Sequence, residues 1–133
     1  RELPVAELYR LPTAEDRSTT TLADAELIVE LDVPAPDAST YLKAMDRQRW
    51  SFPLVGVAAA RVGGDTRIAL SGVAPIPWRA GKAEEFLRGK AINEANAKRA
   101  GEIALEGAKP LKDNNYKISI ARDLIQRAVL ASV

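Results

Sequence analysis

A chain of 133 residues, 47% hydrophobic and 28% charged, has the size and composition of one globular domain with a core of its own. Its 19 basic and 18 acidic residues leave a formal net charge of +1, too balanced for the basic field that a general nucleic-acid binder needs. Cysteine and histidine are both absent, which removes the usual ligands of zinc, haem and iron–sulfur sites and every Cys or Ser-His nucleophile arrangement, and no apolar run approaches the ~20 residues of a membrane span.

The first 23 residues read as irregular. Val5-Ala6-Glu7-Leu8-Tyr9 suits a short helical turn after Pro4, and Pro12 with the Ser18-Thr19-Thr20-Thr21 cluster reads as loop. This stretch is expected to be a linker or the edge of a preceding unit, with a domain over residues 24–133. The chain opens on Arg1 and not on Met, and is read as a fragment of a longer one.

Leu27-Ile28-Val29-Glu30-Leu31-Asp32-Val33 alternates, with Leu27, Val29, Leu31 and Val33 on one face. Period two predicts a half-buried strand, stopped by Pro34 and Pro36. Tyr41-Leu42-Lys43 suits a second strand, although residues 38–47 also admit a helix. Leu54 to Val62 is nearly continuously apolar, and Arg67 to Val73 follows after Gly63-Gly64-Asp65. Two apolar runs around that turn predict a β-hairpin, and apolar residues on both faces of the first arm make it a central strand. Pro75 and Pro77 are expected to end the sheet.

The period then changes to 3.6. Ala83, Phe86 and Leu87 form a first helical stripe with Gly89 as its stop. Ala97, Ala100, Ala104, Leu105 and Ala108 form a second, ended before Pro110. Ser119 is a candidate N-cap for a third helix whose inward residues are Ala121, Leu124, Ile125 and Ala128. Strands first and helices second predict an α+β fold: an antiparallel sheet of three to four strands covered on one face by about three helices.

Three groups of residues carry chemistry worth weighing. Lys43, Arg47 and Arg49 lie close to Trp50 and Phe52, and cations beside aromatics grip a cofactor by charge pairing and stacking. On residue types alone, a solvated turn with a tryptophan over the core edge accounts for them, since exposed arginines are common. Gly72-Val73-Ala74-Pro75-Ile76-Pro77-Trp78-Arg79 offers either a docking ridge for a partner or a strand-to-helix connection capped by Trp78. Asp24, Glu26, Glu30 and Asp32 are candidate acid–base carboxylates, and a solvated strand face explains them more simply. The residues by themselves yield no catalytic group and no metal site.

Several segments in order resemble one family, the FAD-binding (medium) subunits of molybdenum hydroxylases: xanthine dehydrogenase, aldehyde oxidoreductase and carbon monoxide dehydrogenase flavoproteins. Arg1 to Tyr9 and Thr21 to Ile28 resemble the junction after the FAD domain. Tyr41-Leu42-Lys43-Ala44-Met45-Asp46-Arg47 matches the Y-x-K-x-x-x-R element, and Phe52 to Ala60 the central strand. Arg67-Ile68-Ala69-Leu70-Ser71-Gly72-Val73-Ala74-Pro75-Ile76-Pro77-Trp78-Arg79 resembles the R-I-A-L-G-G-V-A-P-x-P-x-R signature. Glu84 to Gly89 and Asn115 to Arg122 complete a likeness that covers nearly the whole chain, and its details look most like the periplasmic aldehyde oxidoreductase type.

The resemblance implies a fold like the carbon monoxide dehydrogenase flavoprotein C-terminal domain. It implies FAD shared with a preceding FAD-binding domain, a molybdopterin subunit that hydroxylates the substrate, an aldehyde or a purine-like compound, and an iron–sulfur subunit that carries electrons to the flavin. The domain itself is expected to be non-catalytic, completing the flavin site and the packing between subunits. The family's Y-x-K lysine carries over to Lys43, and the branched residue of its E-L-I segment to Ile28. Arg47 and Trp50 are placed in the same cleft. Arg49-Trp50-Ser51-Phe52 stands where some xanthine-oxidising relatives carry acidic residues, a change expected to bear on the choice of electron acceptor. The competing expectation is an independent interaction module that binds a protein through Trp78 and its prolines; neither reading involves nucleic acid or a membrane.

Overall fold

In the computed structural model, which describes residues 1–47 and 49–133, a short helix α1 (Val5–Leu8) precedes four strands and three further helices. The strands are β1 (Ala38–Met45), β2 (Pro53–Val62), β3 (Asp65–Ser71) and β4 (Trp78–Arg79); the helices are α2 (Gly81–Leu87), α3 (Glu94–Ala104) and α4 (Tyr116–Leu130). The strands form one sheet in chain order, each antiparallel to the next. The helices cover one face of it, as the order of periodicities predicts.

The β2–β3 hairpin turns on Gly63 and Gly64, at φ 58 and 86, and closes on the pair Val62↔Asp65. Two consecutive left-handed residues make the turn whose twist suits a hairpin, and glycine enters it without a Cβ penalty. Asp65 is therefore the first residue of β3 and not part of the turn. Asp37 Oδ2 accepts the Gly63 N–H at 2.9 Å, tying the entry of β1 to the hairpin tip.

Val55, Val57 and Ala59 on β2, with Ile68 and Leu70 on β3, point toward the helices and are 2% exposed or less. Ala121, Ile125, Ala128 and Val129 of α4 meet them, Ala83 and Leu87 of α2 close the β3 side, and α3 adds Ala97 and Ala100. Alanine stripes let the helices approach closely. Gly101 takes this furthest: a Cβ there would lie 2.8 Å from the Arg122 carbonyl oxygen of α4.

Four expectations change. Leu27 to Val33 forms no strand; it is irregular, with Leu27 83%, Val29 89%, Leu31 64% and Val33 76% exposed. Period two gives a chain the right side chains for a strand, but the ladder needs a neighbour, and among the described residues none pairs with this stretch. The prolines at 75 and 77 do not end the sheet, since the chain returns as β4 beside Ala69 and Leu70. The second helix stops at Ala104, because Leu105 to Gly107 turn off it with Gly107 at φ 82. Ser119 caps nothing: α4 begins at Tyr116, and the Ser119 hydroxyl donates back to the Tyr116 carbonyl at 2.9 Å. A true cap, Asn93, whose side chain accepts the Asn96 N–H at 2.9 Å, opens α3.

Residues 1–26 are held by bonds among themselves. Tyr9 and Thr20 bridge, the Thr21 N–H donates to the Leu8 carbonyl, and Arg1 donates to both carboxylate oxygens of Glu26 at 2.8 Å. The Ala23 amide and then the Arg1 guanidinium hold the Glu26 carboxyl below its ordinary range.

Candidate functional site

The face of the sheet away from the helices carries the cationic and aromatic residues. Strand alternation puts Ser39, Tyr41 and Lys43 of β1 there, and the register sets Tyr41 opposite Ala58 and Lys43 opposite Gly56. Ala58 in turn faces Ala69, Gly56 faces Ser71, and Ala69 faces Arg79. The middle of this face is a floor of glycine, alanine and serine. Tyr41 lies across it, its hydroxyl 3.4 Å from Ser71 Oγ. Gly56 makes that possible, since a Cβ there would stand 2.6 Å from the tyrosine oxygen. Tyr41 carries a signal the motif alone hides: two residues from Lys43, it must share its face.

Beyond Lys43 the chain leaves β1 into the connection to β2. Arg47 Nη2 donates to the Trp50 carbonyl at 2.8 Å. Trp50 stands at φ 54, the one left-handed non-glycine position among the described residues, and both Trp50 and Phe52 are 94% exposed. Trp50 therefore does not cover the core edge. A large aromatic in a left-handed backbone costs about 1 kcal/mol or more, and at 94% exposure Trp50 buries little against the described residues to offset it.

The structure brings Lys43, Arg47 and Trp50 to one end of β1. Ile28 stands apart on the irregular segment, 47% exposed, where it lines a cleft with Leu3, Val5 and Leu22 that none of the other three lines. Glu30 and Asp32 line that cleft as well. Asp24, Glu26, Glu30 and Asp32 are all exposed, and no group of three or more metal-binding side chains gathers among the described residues.

A buried carboxylate that sequence reasoning missed is Glu84 on α2. Its Oε1 accepts the Ile68 N–H at 2.9 Å, and Arg79 donates to it from both Nε and Nη2. Burial opposes its charge most strongly. The Arg79 hydrogen bonds, the Ile68 amide and the Arg79 and Arg67 charges together outweigh that and hold its carboxyl below the ordinary range. With all its partners inside the fold, Glu84 is a clasp between sheet and helix, not an acid–base group.

Residues 40–132, from β1 to the end of α4, match the family described as CO dehydrogenase flavoprotein C-terminal domain. Over 125 residues the chain is 32% identical to the aldehyde oxidoreductase FAD-binding subunit PaoB of Escherichia coli (strain K12), covering 92% of this chain and 37% of that subunit. Among solved structures it is similar to quinoline 2-oxidoreductase from Pseudomonas putida 86, at TM-score 0.73 and 32% identity over 85% of this chain and 43% of that one. It is similar also to carbon monoxide dehydrogenase from Hydrogenophaga pseudoflava lacking the Mo-pyranopterin moiety of the molybdenum cofactor, at TM-score 0.72 and 30% identity over 86% and 44%. A reconstituted CO dehydrogenase from Oligotropha carboxidovorans shares the fold at TM-score 0.79 and 22% identity, over 96% of this chain and 47% of that one. The chain thus spans less than half the length of each of these relatives. With the sequence match running through every strand and all three helices of the sheet-and-helix body, the chain belongs to the CO dehydrogenase flavoprotein C-terminal domain family.

Proposed function

We propose that this chain is the C-terminal domain of the FAD-binding subunit of a molybdenum hydroxylase, an oxidoreductase of aldehydes or purine-like compounds. In this reading the domain completes the flavin site and packs between subunits, while electrons pass from iron–sulfur centres through FAD to an acceptor. Molybdopterin and the iron–sulfur clusters sit on partner subunits, and the isolated domain is not itself catalytic. The observation that carries the proposal is the 32% identity to an FAD-binding subunit across 92% of this chain.

The residues present suit one wall of a flavin site. Lys43 offers a cation on the same face as Tyr41, whose ring lies across the floor of small side chains. Arg47 and Trp50 add a guanidinium and an exposed indole at the same end of β1. The strained, uncovered Trp50 gains a purpose if it packs against something outside the domain. Bound FAD would accept electrons and hand them on; the side chains named here would bind and orient it. Ile28 joins this wall only with the segment that carries it. We propose that residues 1–23 form a linker or the edge of the preceding FAD-binding part and that residues 24–36, which the sequence reading placed in the domain, go with them, so that the folded domain starts at Asp37, which is bonded to the sheet. The exposed apolar face of residues 27–33 supports this, as does a family match that begins at residue 40.

The test is the absorption spectrum and metal content of the natively purified full-length gene product with whatever subunits accompany it. Bound flavin together with iron and molybdenum is the expected result. A colourless, metal-free product would overturn the reading and leave the family likeness as fold alone.

A further inference from the structure

The cavity beside Trp78 takes no part in the site at the end of β1. It has a volume of about 320 Å³ and opens at the surface. Its floor reaches the core at Leu70 and Ala121, which are 2% and 1% exposed. Trp78 forms one wall, and Leu105, Ala108 and Ile118 stand among the others, where the connection between α3 and α4 turns away from the sheet. Trp78 remains 43% exposed, and the surface around the mouth stays apolar, with Val73 at 37% and Leu111, next to the lining Pro110, at 76%. A half-covered tryptophan at the centre of an apolar patch is the usual make-up of a binding hot spot.

Charge says what kind of occupant suits it. Lys109 and Lys117 line the mouth, and Lys112 follows closely on the same connection. Lys117 donates to the Gly72 carbonyl at 2.7 Å. The acid of the lining is Glu106, and Arg99 stands 3.7 Å from it. The rim is therefore net positive around an apolar hole. At this volume the hole lies at the lower end of what holds a ligand of drug size, and its continuity with exposed apolar surface favours a side chain delivered by a polypeptide.

We propose that this cavity receives an apolar anchor side chain from an acidic segment of a partner subunit. The proposal rests on the reading of the chain as part of a multi-subunit flavoprotein, and it assigns Trp78 a docking role separate from the flavin wall.

Two variants of the full-length subunit test it in the assembled complex. Ala108→Trp fills the cavity from an exposed wall without removing core atoms. The double variant Lys109→Glu, Lys112→Glu reverses the rim at exposed positions, where folding is not at stake. The association constant with each partner subunit is measured by analytical ultracentrifugation at low and high salt, with flavin absorbance recorded on the same samples. Ala108→Trp is expected to weaken association with one partner by about tenfold or more. The charge reversal is expected to weaken the same association and flatten its salt dependence. Unchanged association of both variants overturns the proposal, as does a loss confined to self-association of the flavin subunit, which would make a second copy the occupant. Release of a bound small molecule by Ala108→Trp, seen by native mass spectrometry with association intact, overturns it in favour of a ligand pocket. A missing flavin signal marks failure of the functional reading, and an unchanged association constant marks failure of the docking site, so the two are separable.

Discussion

Arg79 of β4 and Glu84 of α2 are joined by two parallel hydrogen bonds, Nε to Oε1 at 3.0 Å and Nη2 to Oε2 at 2.8 Å. The same carboxylate accepts the Ile68 N–H of β3, so one side chain ties an edge strand of two residues, its neighbour and a helix start together. The pair lies five positions apart in sequence, and the fork geometry fixes the orientation of the guanidinium.

Replacing this carboxylate should be costly in a pH-dependent way. Glu84→Gln keeps an acceptor for Ile68 but loses the charge, and with Arg79 54% exposed to screening water the loss should be about 1–2 kcal/mol. The folded-state pKa of Glu84 lies below its ordinary 4.5. Its stabilisation is therefore complete above that value and lost as pH falls through the folded pKa. Urea unfolding of residues 1–133 at a series of pH values should show the wild type losing stability below about pH 4.5 more steeply than Glu84→Gln. Parallel pH profiles would count against the clasp.

Gly101→Ala should destabilise although it sits inside a helix. Elsewhere in a helix, alanine is favoured over glycine by about 1 kcal/mol. Here the new Cβ would meet the Arg122 carbonyl oxygen at 2.8 Å, so α3 and α4 must part. The net cost should be about 1–3 kcal/mol, as for overpacking. Gly81→Ala, at the start of α2 with open space around it, is the control and should be neutral or slightly stabilising. Thermal unfolding of the two variants decides: equal melting points would show that the α3–α4 contact relaxes freely.

Changing Leu27, Val29, Leu31 and Val33 together to serine should leave the stability of residues 1–133 within about 0.5 kcal/mol, because these side chains already face water. In the full-length subunit the same change should lower the urea midpoint and speed cleavage after Glu30 by a glutamate-specific protease. Identical behaviour of the full-length wild type and variant would show that nothing outside this chain covers the segment.

Lys43→Ala in the full-length subunit should reduce FAD retention by about tenfold, the size of one charge-assisted contact. The side chain is exposed on the outer face of β1, so unfolding should be unaffected. Flavin-to-protein absorbance after dialysis measures it, and an undiminished ratio would take Lys43 out of the site.

The body of the fold was legible wherever one residue's demand settled the matter. Gly63-Gly64 between apolar runs specified the hairpin, because few residues other than glycine enter two left-handed positions in a row. The both-sided apolar run of β2 specified a central strand. Ala121, Leu124, Ile125 and Ala128 specified the inward face of α4. Lys43 enters as a proposed site residue through the resemblance, and Tyr41 joins its face only through alternation once β1 is established. Glu84 was not legible at all. A glutamate in a short amphipathic helix reads as solvated, and only the return of β4 brings Arg79 and the Ile68 amide to it.

Sequence by itself thus determined the class of fold, the hairpin, the inward face of α4 and the absence of cysteine and histidine from the chain, because these follow from local backbone demands and from composition. Only the tertiary structure decided that residues 27–33 pair with no strand among the described residues, that Trp50 stands exposed in a left-handed backbone, that Glu84 is clasped by Arg79, and that a cavity opens beside Trp78. Each of these depends on contacts between residues distant in sequence or on a neighbour that is absent, and such contacts leave no periodicity to read.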